Sequence, residues 1–267
     1  MQPLKGIRVV ELATYIVAPM AARVMGDWGA EVIKVEAPNT DKWRTVGRLD
    51  GIPVGDGENP IYTVANSGKD MIILDLKTEE GKAVLLRLLE EADVFITNVR
   101  WAAIERMGLD YDTLHERFPR LIYFHFTGFG YEGPDAARPG FDSAVFFGKT
   151  GLLTDIPERG ERPTMSLAAA GDSITSNCVL SGIMAALYHR ERTGEGIRLT
   201  SSLYAAGIWT NFSHICNSQA AYGGDKFPKA TAENPNPLSD TYECADGRWI
   251  LLAADAYQYE QLGNDSE

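Results

Sequence analysis

The beginning of the chain reads as a strand, a helix and a second strand, and this pattern constrains the fold more than any other feature. Ile7–Leu12 is an apolar, β-branched run typical of a buried strand. Pro19–Trp28 reads as a helix that opens on proline and stops at Gly29, and Glu31–Glu36 reads as the second strand. A strand–helix–strand unit of this length predicts a parallel pair of strands with a right-handed crossover.

The first turn of this unit argues against a dinucleotide-binding site. Glu36 lies where the ribose-binding acid of a Rossmann fold would be found. The turn Ala13–Pro19, however, contains no glycine, so the G-x-G-x-x-G pattern that lets a pyrophosphate approach the backbone is absent. The sequence therefore predicts a Rossmann-like topology without NAD binding.

Strands and helices continue to alternate along the chain, which predicts an α/β fold with an open, mostly parallel, Rossmann-like sheet and flanking helices. The predicted strands are Met71–Leu76, Val94–Thr97, Leu121–Phe126 and Ile197–Thr200, and the predicted helices are Thr78–Glu91, Arg100–Met107, Tyr111–Phe118, Asp172–Tyr188 and Ser201–Ala221. Two loops rich in Gly, Asp and Pro, Asn39–Asn59 and residues 127–142, interrupt the pattern, and the length of the second suggests function.

The domain organisation follows from the polar, proline-containing stretch near the C-terminal end. We expect a large Rossmann-like domain over residues 1–222, a linker over 223–238 and an incomplete small α+β domain over 239–267. Thr241–Cys244 and Trp249–Ala253 read as a hairpin that opens the small domain. A hairpin alone buries little surface, so this unit is expected to pack on something else or to be part of a fragment.

Composition limits the classes of partner and site. The net charge is −12, from 37 acidic and 25 basic residues, which argues against a general nucleic-acid or anionic-membrane surface. The three cysteines are widely spaced and form no CxxC, as expected in a reducing cytoplasm, and no signal peptide or transmembrane run is recognisable. The four histidines have no ligand spacing, so no metal site is predicted. There is no Walker A or GxSxG pattern, which leaves a Ser/His/Asp hydrolase without a supporting motif.

Asp172 is the candidate catalytic residue. It follows the small residues Ala168–Gly171 and precedes a long apolar run. Taken locally, the residue reads as a helix N-cap, because a carboxylate accepts the free N–H groups of the first turn. It also reads as a carboxylate nucleophile that the helix N-terminus would keep ionised and that small neighbours would leave accessible. The local sequence leaves both interpretations open.

Four ordered stretches together carry a specific resemblance. They are LKGIRVVELATYIVAPMAARVMGDWGAEVIKVEAP, ILDLKTEEGKAVLLRLLEEADVFITNVR, ERMGLDYDTLHERFPRLIYFHFTGFGYEGP and AAGDSITSNCVLSGIMAALYHRERTGEGIRLTSSL. Over roughly Leu4 to Ala254 the chain resembles the class III coenzyme A (CoA) transferases, the CaiB/BaiF-type, formyl-CoA transferase-like family. PGFDSAVFF and NPNPLSDTY most resemble the branch that acts on 2-hydroxyacyl-CoAs. Phe141, Phe146 and Phe147 would suit an aromatic or branched acyl group.

The resemblance implies a mechanism and a set of site residues. Asp172 would attack an acyl-CoA donor, forming an acyl-aspartyl anhydride and then an aspartyl-CoA thioester that a free carboxylic acid resolves. CoA and acyl-CoA enter as substrates, and no tightly bound cofactor, nucleotide or metal is implied. The positions that match CoA contacts are Val17, Ala18, Leu74, Lys77, Asn98, Val99 and Arg106, with Phe141 and Asp142 near the reacting acyl group. The resemblance also implies a homodimer, since the subunits of full-length relatives interlock.

Two alternatives accompany this hypothesis. The α-methylacyl-CoA racemases share most of these motifs but resemble G-H-D where this chain has Gly140-Phe141-Asp142, so a two-base proton exchange lacks its histidine. Family members also continue beyond this end point, and TAENPNPLSDTY replaces their glycine-rich loop. The second alternative is therefore a catalytically incomplete CoA-binding subunit.

Overall fold

The computed structural model describes residues 1–39, 41–48, 51–55, 59–165, 167–222, 224, 230 and 237–254. The chain divides into two compact units, one formed by Met1–Thr150 with Ser166–Asn211 and the other by Gly151–Met165 with Phe212–Glu267. Most of the predicted linker and the end of the predicted small domain lie outside the described residues, so the predicted domain boundaries stay a prediction.

A six-stranded sheet forms the centre of the first unit. Its strands are β1 (Arg8–Leu12), β2 (Glu31–Glu36), β3 (Asp70–Ile73), β4 (Val94–Thr97), β5 (Ile122–Thr127) and β6 (Arg198–Ser202). They pair in the order β3-β2-β1-β4-β5-β6, and every pairing is parallel. The predicted α/β class with a Rossmann-like sheet is confirmed. The strand order reverses between β1 and β4, and open sheets of this kind bind ligands outside the carboxyl ends of the strands at that point.

Helices cover both faces of the sheet. The helices of the first unit are α1 (Val17–Asp27), α2 (Pro60–Asn66), α3 (Glu79–Glu90), α4 (Trp101–Met107), α5 (Tyr111–Arg117), α7 (Ala170–Thr193) and α8 (Leu203–Thr210), with a 3₁₀ turn at Lys42–Thr45 and a π-helical segment at Ser143–Lys149. α3, α4 and α5 supply Leu85, Leu89, Ile104 and Leu114 to one core cluster with Val10, Leu12, Phe95 and Tyr123 of the strands. α1 packs beside α7, which also contacts β5 and β6.

Several elements differ from the sequence prediction. The stretch predicted as one helix from Ser201 instead completes β6 and then breaks at Asn211 between two short helices. α2 lies inside the predicted long loop, where the side chain of Asn59 accepts from the backbone N–H groups of Ile61 and Tyr62 at 3.0 and 3.4 Å, and Pro60 occupies the first helical position. The π-helical segment was not predicted.

The second unit contains short elements. These are α6 (Leu152–Asp155), α9 (Phe212–Asn217), a 3₁₀ turn at Ala220–Tyr222, and an antiparallel pair of β7 (Ser239–Glu243) and β8 (Trp249–Ala253). The hairpin predicted from the sequence is present, and the side chains of β8 are exposed. Among the described residues, no helix combines the length and apolar character needed to cross a membrane.

Candidate active site

Asp172 lies in the first turn of α7 but does not cap it. The helix begins at Ala170, and the N-cap position is Ala169, which has a left-handed backbone (φ 63°) and no side-chain cap. Asp172 is therefore the third residue of the helix. The N-cap interpretation is wrong, because the chain enters the helix through a strained alanine upstream of the acid.

Asp142 occupies the position before the π-helical segment, and its carboxylate sits against the same first turn of α7. A Cβ placed on Gly171 would lie 2.2 Å from Oδ1 of Asp142 and 2.4 Å from the ring of Phe146, so only glycine fits there. Both carboxylate oxygens are buried, and none of the described residues gives them a hydrogen bond of standard geometry. Burial raises the pKa of Asp142, while the nearby backbone N–H groups of Gly171, Asp172 and Ala169 act in the opposite direction.

The two carboxyl groups interact electrostatically. Burial, together with the negative charge of Asp142, raises the pKa of Asp172 to about 7. Desolvation and the like charge thus act against the ionisation of Asp172 that the helix N-terminus was expected to favour. Near neutral pH the pair can hold one proton between two acids, an arrangement that provides a nucleophile beside an acid.

The Asp142–Asp172 pair lines a small cavity of about 70 Å³ that adjoins a larger groove of about 660 Å³. The two spaces share the lining residues Thr14, Tyr15, Asn98, Phe126, Gly140 and Phe141. The groove also contains Val99, Arg100, Trp101, His125, Tyr131 and Arg138. A groove of this volume is in the range of small-molecule sites, and the carboxyl pair lies at its side.

The site coincides with the reversal of strand order. Thr14 follows β1 and Asn98 follows β4, and the two residues are joined by reciprocal hydrogen bonds. The N–H of Thr14 donates to the Asn98 side chain at 3.0 Å, and the Asn98 amide donates to the Thr14 carbonyl at 2.7 Å. This contact fixes the floor of the crevice at which the fold predicts ligand binding.

The glycine-rich loop after β5 brings Asp142 to this crevice. Gly128 and Gly140 lie at its two ends, and their backbones cross so closely that a Cβ on Gly140 would lie 2.5 Å from the Cα of Gly128. The loop therefore returns to its starting point before the chain reaches Phe141 and Asp142. Closing the loop in this way places both residues next to α7.

An aromatic cluster forms one wall of the groove. Nε2 of His125 donates to the carbonyl of Val99 at 2.7 Å, which leaves Nδ1 to accept from the hydroxyl of Tyr131. Burial lowers the pKa of His125 to about 4, so its imidazole is neutral at physiological pH. The Arg198 guanidinium lies 4.5 Å from the ring of Tyr131 and 5.1 Å from that of Trp101. The cluster ties the glycine-rich loop to β5.

The structure brings together part of the predicted set. Val17, Asn98, Phe141, Asp142 and Asp172 line the small cavity, and Asn98, Val99 and Phe141 line the groove. Ala18 and Leu74 are buried, Lys77 and Arg106 are exposed, and these four line neither space. Phe146 and Phe147, expected near the acyl group, are buried and also line neither space, because the π-helical segment turns them into the core. Glu36 is paired with Arg44 and accepts from Tyr62.

Sequence reasoning missed several residues of the site. Thr14, Tyr15, Phe126 and Leu203 were not singled out, although each lies at or just beyond the carboxyl end of β1, β5 or β6. That position is the signal that could have identified them. Among the described residues, no group of three or more His, Cys, Asp or Glu side chains is placed to hold a metal ion.

Comparison with known proteins places the chain in a family. Residues 4–262 match the model of CoA-transferase family III. The chain is 40% identical over 255 residues to (R)-2-hydroxy-4-methylpentanoate CoA-transferase of Clostridioides difficile, covering 95% of this chain and 63% of that protein. It is 36% identical over 252 residues to cinnamoyl-CoA:phenyllactate CoA-transferase of Clostridium sporogenes, covering 94% of this chain and 61% of that protein.

A solved structure shows the same fold. The crystal structure of a CAIB/BAIF family protein from Brucella suis superimposes with a TM-score of 0.82 at 33% identity, covering 98% of this chain and 69% of that one.

The chain spans less than two thirds of the length of the two curated relatives described above. The matches in sequence and in structure agree: the chain belongs to CoA-transferase family III.

Proposed function

We propose that the Asp142–Asp172 site transfers coenzyme A from an acyl-CoA donor to a free carboxylic acid. The observation that carries the proposal is the carboxyl pair of raised pKa on a cavity that adjoins a groove of about 660 Å³. Membership of the family supports the reaction class. The groove would hold CoA, and Arg100 on its lining offers positive charge to the phosphates.

The reaction consists of carboxylate and thiolate exchanges that need no external redox partner. The ionised Asp172 carboxylate attacks the carbonyl carbon of the donor thioester. The C–S bond of the thioester breaks, so CoA leaves as the thiolate and an acyl-aspartyl anhydride remains on the enzyme. The thiolate then attacks the aspartyl carbonyl, which releases the donor acid and forms an aspartyl-CoA thioester. The acceptor carboxylate attacks that thioester and displaces the CoA thiolate, which leaves an anhydride between the acceptor and Asp172. The thiolate then attacks the acceptor acyl carbon of this anhydride. The product is the new acyl-CoA, and the Asp172 carboxylate is regenerated.

Asp142 has a distinct part in this proposal. While it is protonated, it places a donor beside the reacting centre and removes the charge that opposes ionisation of Asp172. A donor aimed at the developing oxyanion stabilises each tetrahedral intermediate in a site with little water. The backbone N–H groups of the α7 first turn are further candidates for that role.

The proposed substrate class is 2-hydroxyacyl-CoA with a branched or aromatic side chain. The two relatives described above are named for such acids. Tyr15, Phe126 and Phe141 give the lining of the small cavity an aromatic character that suits an apolar acyl group. The interlocked homodimer and the cytoplasmic location expected from the sequence remain predictions.

The test is isotope exchange in the presence and absence of the nucleophile. A branched 2-hydroxyacyl-CoA is incubated with a labelled branched 2-hydroxy acid, and label in the CoA thioester is followed. We expect Asp172→Asn to lower exchange by roughly 10³-fold or more, because the amide cannot form the anhydride. Asp112→Asn is the matched control, since Asp112 is an exposed acid in the first turn of α5.

The other outcomes identify the alternatives. Exchange that survives Asp172→Asn removes Asp172 from the mechanism. If neither form exchanges label but both bind CoA in calorimetry, the chain is a CoA-binding subunit. Incorporation of solvent deuterium at Cα without any free acid would instead indicate racemase chemistry.

A further inference from the structure

Tyr15 adopts a backbone conformation that is rare for a residue with a side chain. Its φ is 66°, and the only other non-glycine residue with positive φ among those described is Ala169, which also adjoins the carboxyl pair. Left-handed backbone at a bulky residue costs free energy and persists only where surrounding contacts enforce it. The contacts that enforce it at Tyr15 are therefore informative.

A buried carboxylate supplies the enforcing contact. The backbone N–H of Tyr15 points at Asp41, with both carboxylate oxygens at 3.2 Å. The Asp41 side chain is fully buried and also accepts from the N–H of Trp43 at 3.0 Å. An N–H bond to a fixed, buried carboxylate is charge-assisted, so it opposes rotation of the Tyr15 backbone out of the left-handed region.

Asp41 is itself held by the sheet. Nζ of Lys34, on β2, lies 3.3 Å from Oδ2 of Asp41 and donates to the carbonyl of Ala13 at 2.9 Å. The same ammonium donates to Glu11, on β1, at 2.7 Å. The loop after β1 is thus tied at Ala13 and at Tyr15 to one buried ion pair.

The backbone of Tyr15 decides where its ring lies. The ring meets Phe141 edge to face, with centroids 5.7 Å apart, and lies 5.9 Å from the ring of Trp43. Tyr15 and Phe141 both line the small cavity beside the Asp142–Asp172 pair and the larger groove. The aromatic pair therefore stands at the boundary between the space for the reacting acyl group and the space for CoA.

We propose that Asp41 is a positioning residue that holds Tyr15 against Phe141, and that this aromatic pair sets which acyl groups reach Asp172. The assignment of the two spaces to acyl group and CoA rests on the proposed function. Neither Asp41 nor Tyr15 is among the site residues that the family resemblance implies.

A double-mutant cycle tests whether Asp41 acts through Tyr15. The variants are Asp41→Asn, Tyr15→Gly and the double variant, and the readout is the ratio of kcat/KM for a branched acyl-CoA to that for acetyl-CoA. We expect each single substitution to lower this ratio about tenfold, because the fit of about one methylene group in an apolar pocket changes kcat/KM by a factor of that size. In the double variant we expect no further loss, since a positioning residue has nothing left to position. Additive losses would overturn the proposal.

Amide exchange gives a second readout that needs no turnover. Asp41→Asn should speed hydrogen exchange of the Tyr15 amide about tenfold, because the asparagine presents a single accepting oxygen and no charge. Asp110→Asn is the matched control, since Asp110 is also a capping acid, accepting from Thr113 N at 3.1 Å, and contacts neither space. An unchanged Tyr15 amide in Asp41→Asn overturns the proposal whether or not the protein transfers CoA. If the wild type transfers no CoA, the affinity ratio of the two thioesters in calorimetry replaces the kinetic ratio in the same cycle.

Discussion

At the scale of single residues, the site depends on how two neighbouring acids divide their protons. In the proposed reaction Asp172 attacks as a carboxylate, yet burial and the charge of Asp142 raise its pKa to about 7. Such titrations belong to the pair, so a change in one acid must appear in the pH dependence attributed to the other.

The pH profile of transfer follows from this coupling. We expect a bell-shaped profile of kcat/KM, because the reactive pair holds one proton: the rate rises as the pair loses its first proton and falls as it loses the second, near pH 7. Asp142→Asn removes the like charge and one titrating group, so the falling limb near pH 7 disappears. The rate then rises once, at a pKa of Asp172 that lies below 7 but, because of burial, above that of an exposed aspartate. Asparagine keeps an N–H donor at this position, so we expect the maximal rate to stay within about tenfold of the wild-type value. Rates measured between pH 5 and 9 check both effects.

Two further profiles make the result decisive. Asp112→Asn should keep both limbs of the wild-type profile, because Asp112 is exposed and lies on α5. A falling limb that persists near pH 7 in Asp142→Asn would contradict the electrostatic coupling, even if the maximal rate falls.

The sequence could single out Asp172 as a candidate nucleophile, but it could not give the protonation state of its carboxyl group. A Gly-Asp step before an apolar helix is visible in a linear pattern, whereas the effect of Asp142 depends on the crossing of Gly128 and Gly140 that closes the loop. Desolvation likewise depends on packing from several elements. The N-cap interpretation was wrong for a related reason: the start of α7 is set by the strained Ala169, which has no sequence signature.

At the scale of elements, the start of α7 and the glycine-rich loop form one unit. The loop ends at Asp142, whose carboxylate occupies the space that a side chain at Gly171 would need. The helix is long and well packed, so its first turn offers a rigid support for both acids. The positions of the two acids therefore depend on the absence of a Cβ at Gly171.

Two glycine substitutions in α7 separate this role from helix propensity. Gly171→Ala places a Cβ 2.2 Å from Asp142 Oδ1, so we expect the acid or the Phe146 ring to move and transfer to fall by roughly 10²-fold. Gly182→Ala is the matched control: its Cβ would lie 3.5 Å from Phe124 and 4.0 Å from Leu199, which are ordinary contacts. We expect it to keep activity and to raise the free energy of unfolding by about 0.5–1 kcal/mol. Chemical denaturation and initial rates measure the two effects.

If Gly171→Ala and Gly182→Ala have equal activity and equal free energies of unfolding, this interpretation of α7 is wrong. Should Gly171→Ala retain full activity, the contact between Asp142 and the first turn would not be needed for transfer.

Elements whose local sequence carries one strong signal were predicted correctly, whereas elements whose structure depends on neighbouring parts of the chain were not. β-branched runs identified the strands, and Thr78 was predicted correctly as the cap of α3, where it accepts from Gly81 N at 3.0 Å. The apolar stretch after Thr200 was read as helix because its pattern is compatible with both states, but pairing with β5 extends β6 to Ser202. α2 was overlooked because its Asn-Pro start lies among loop residues.

At the scale of the whole molecule, charge is distributed very unevenly. The chain has a net charge of −12, yet a balanced set of three acids and three bases lies beneath the candidate site: Glu11, Glu36, Asp41, Lys34, Lys69 and Arg44. Central strands of a parallel sheet are covered on both faces, so charged residues there must be paired. The sequence shows these residues within EVIKVE and its surroundings but not their partners, which come from β1, the 3₁₀ turn and the segment before β3.

Lys34 connects this network to the site, and its removal should affect both stability and activity. Its side chain is fully buried and contacts Glu11, Asp41 and the Ala13 carbonyl. Lys34→Met leaves two buried acids short of a cation, so we expect a loss of about 3–5 kcal/mol in the free energy of unfolding. Lys82→Met is the matched control, because Lys82 pairs with the exposed Glu79 and such pairs contribute roughly 0–1 kcal/mol. Urea denaturation at pH 7 gives both values.

The same variant distinguishes a structural network from one that also shapes the site. Lys34→Met frees Asp41 as well as Glu11, so the surviving folded protein should lose discrimination between acyl groups as Asp41→Asn does. If Lys34→Met is destabilised but keeps wild-type discrimination between acyl groups, the network supports the fold and does not shape the site. A loss no larger than that of Lys82→Met would show instead that the buried charges do not depend on Lys34.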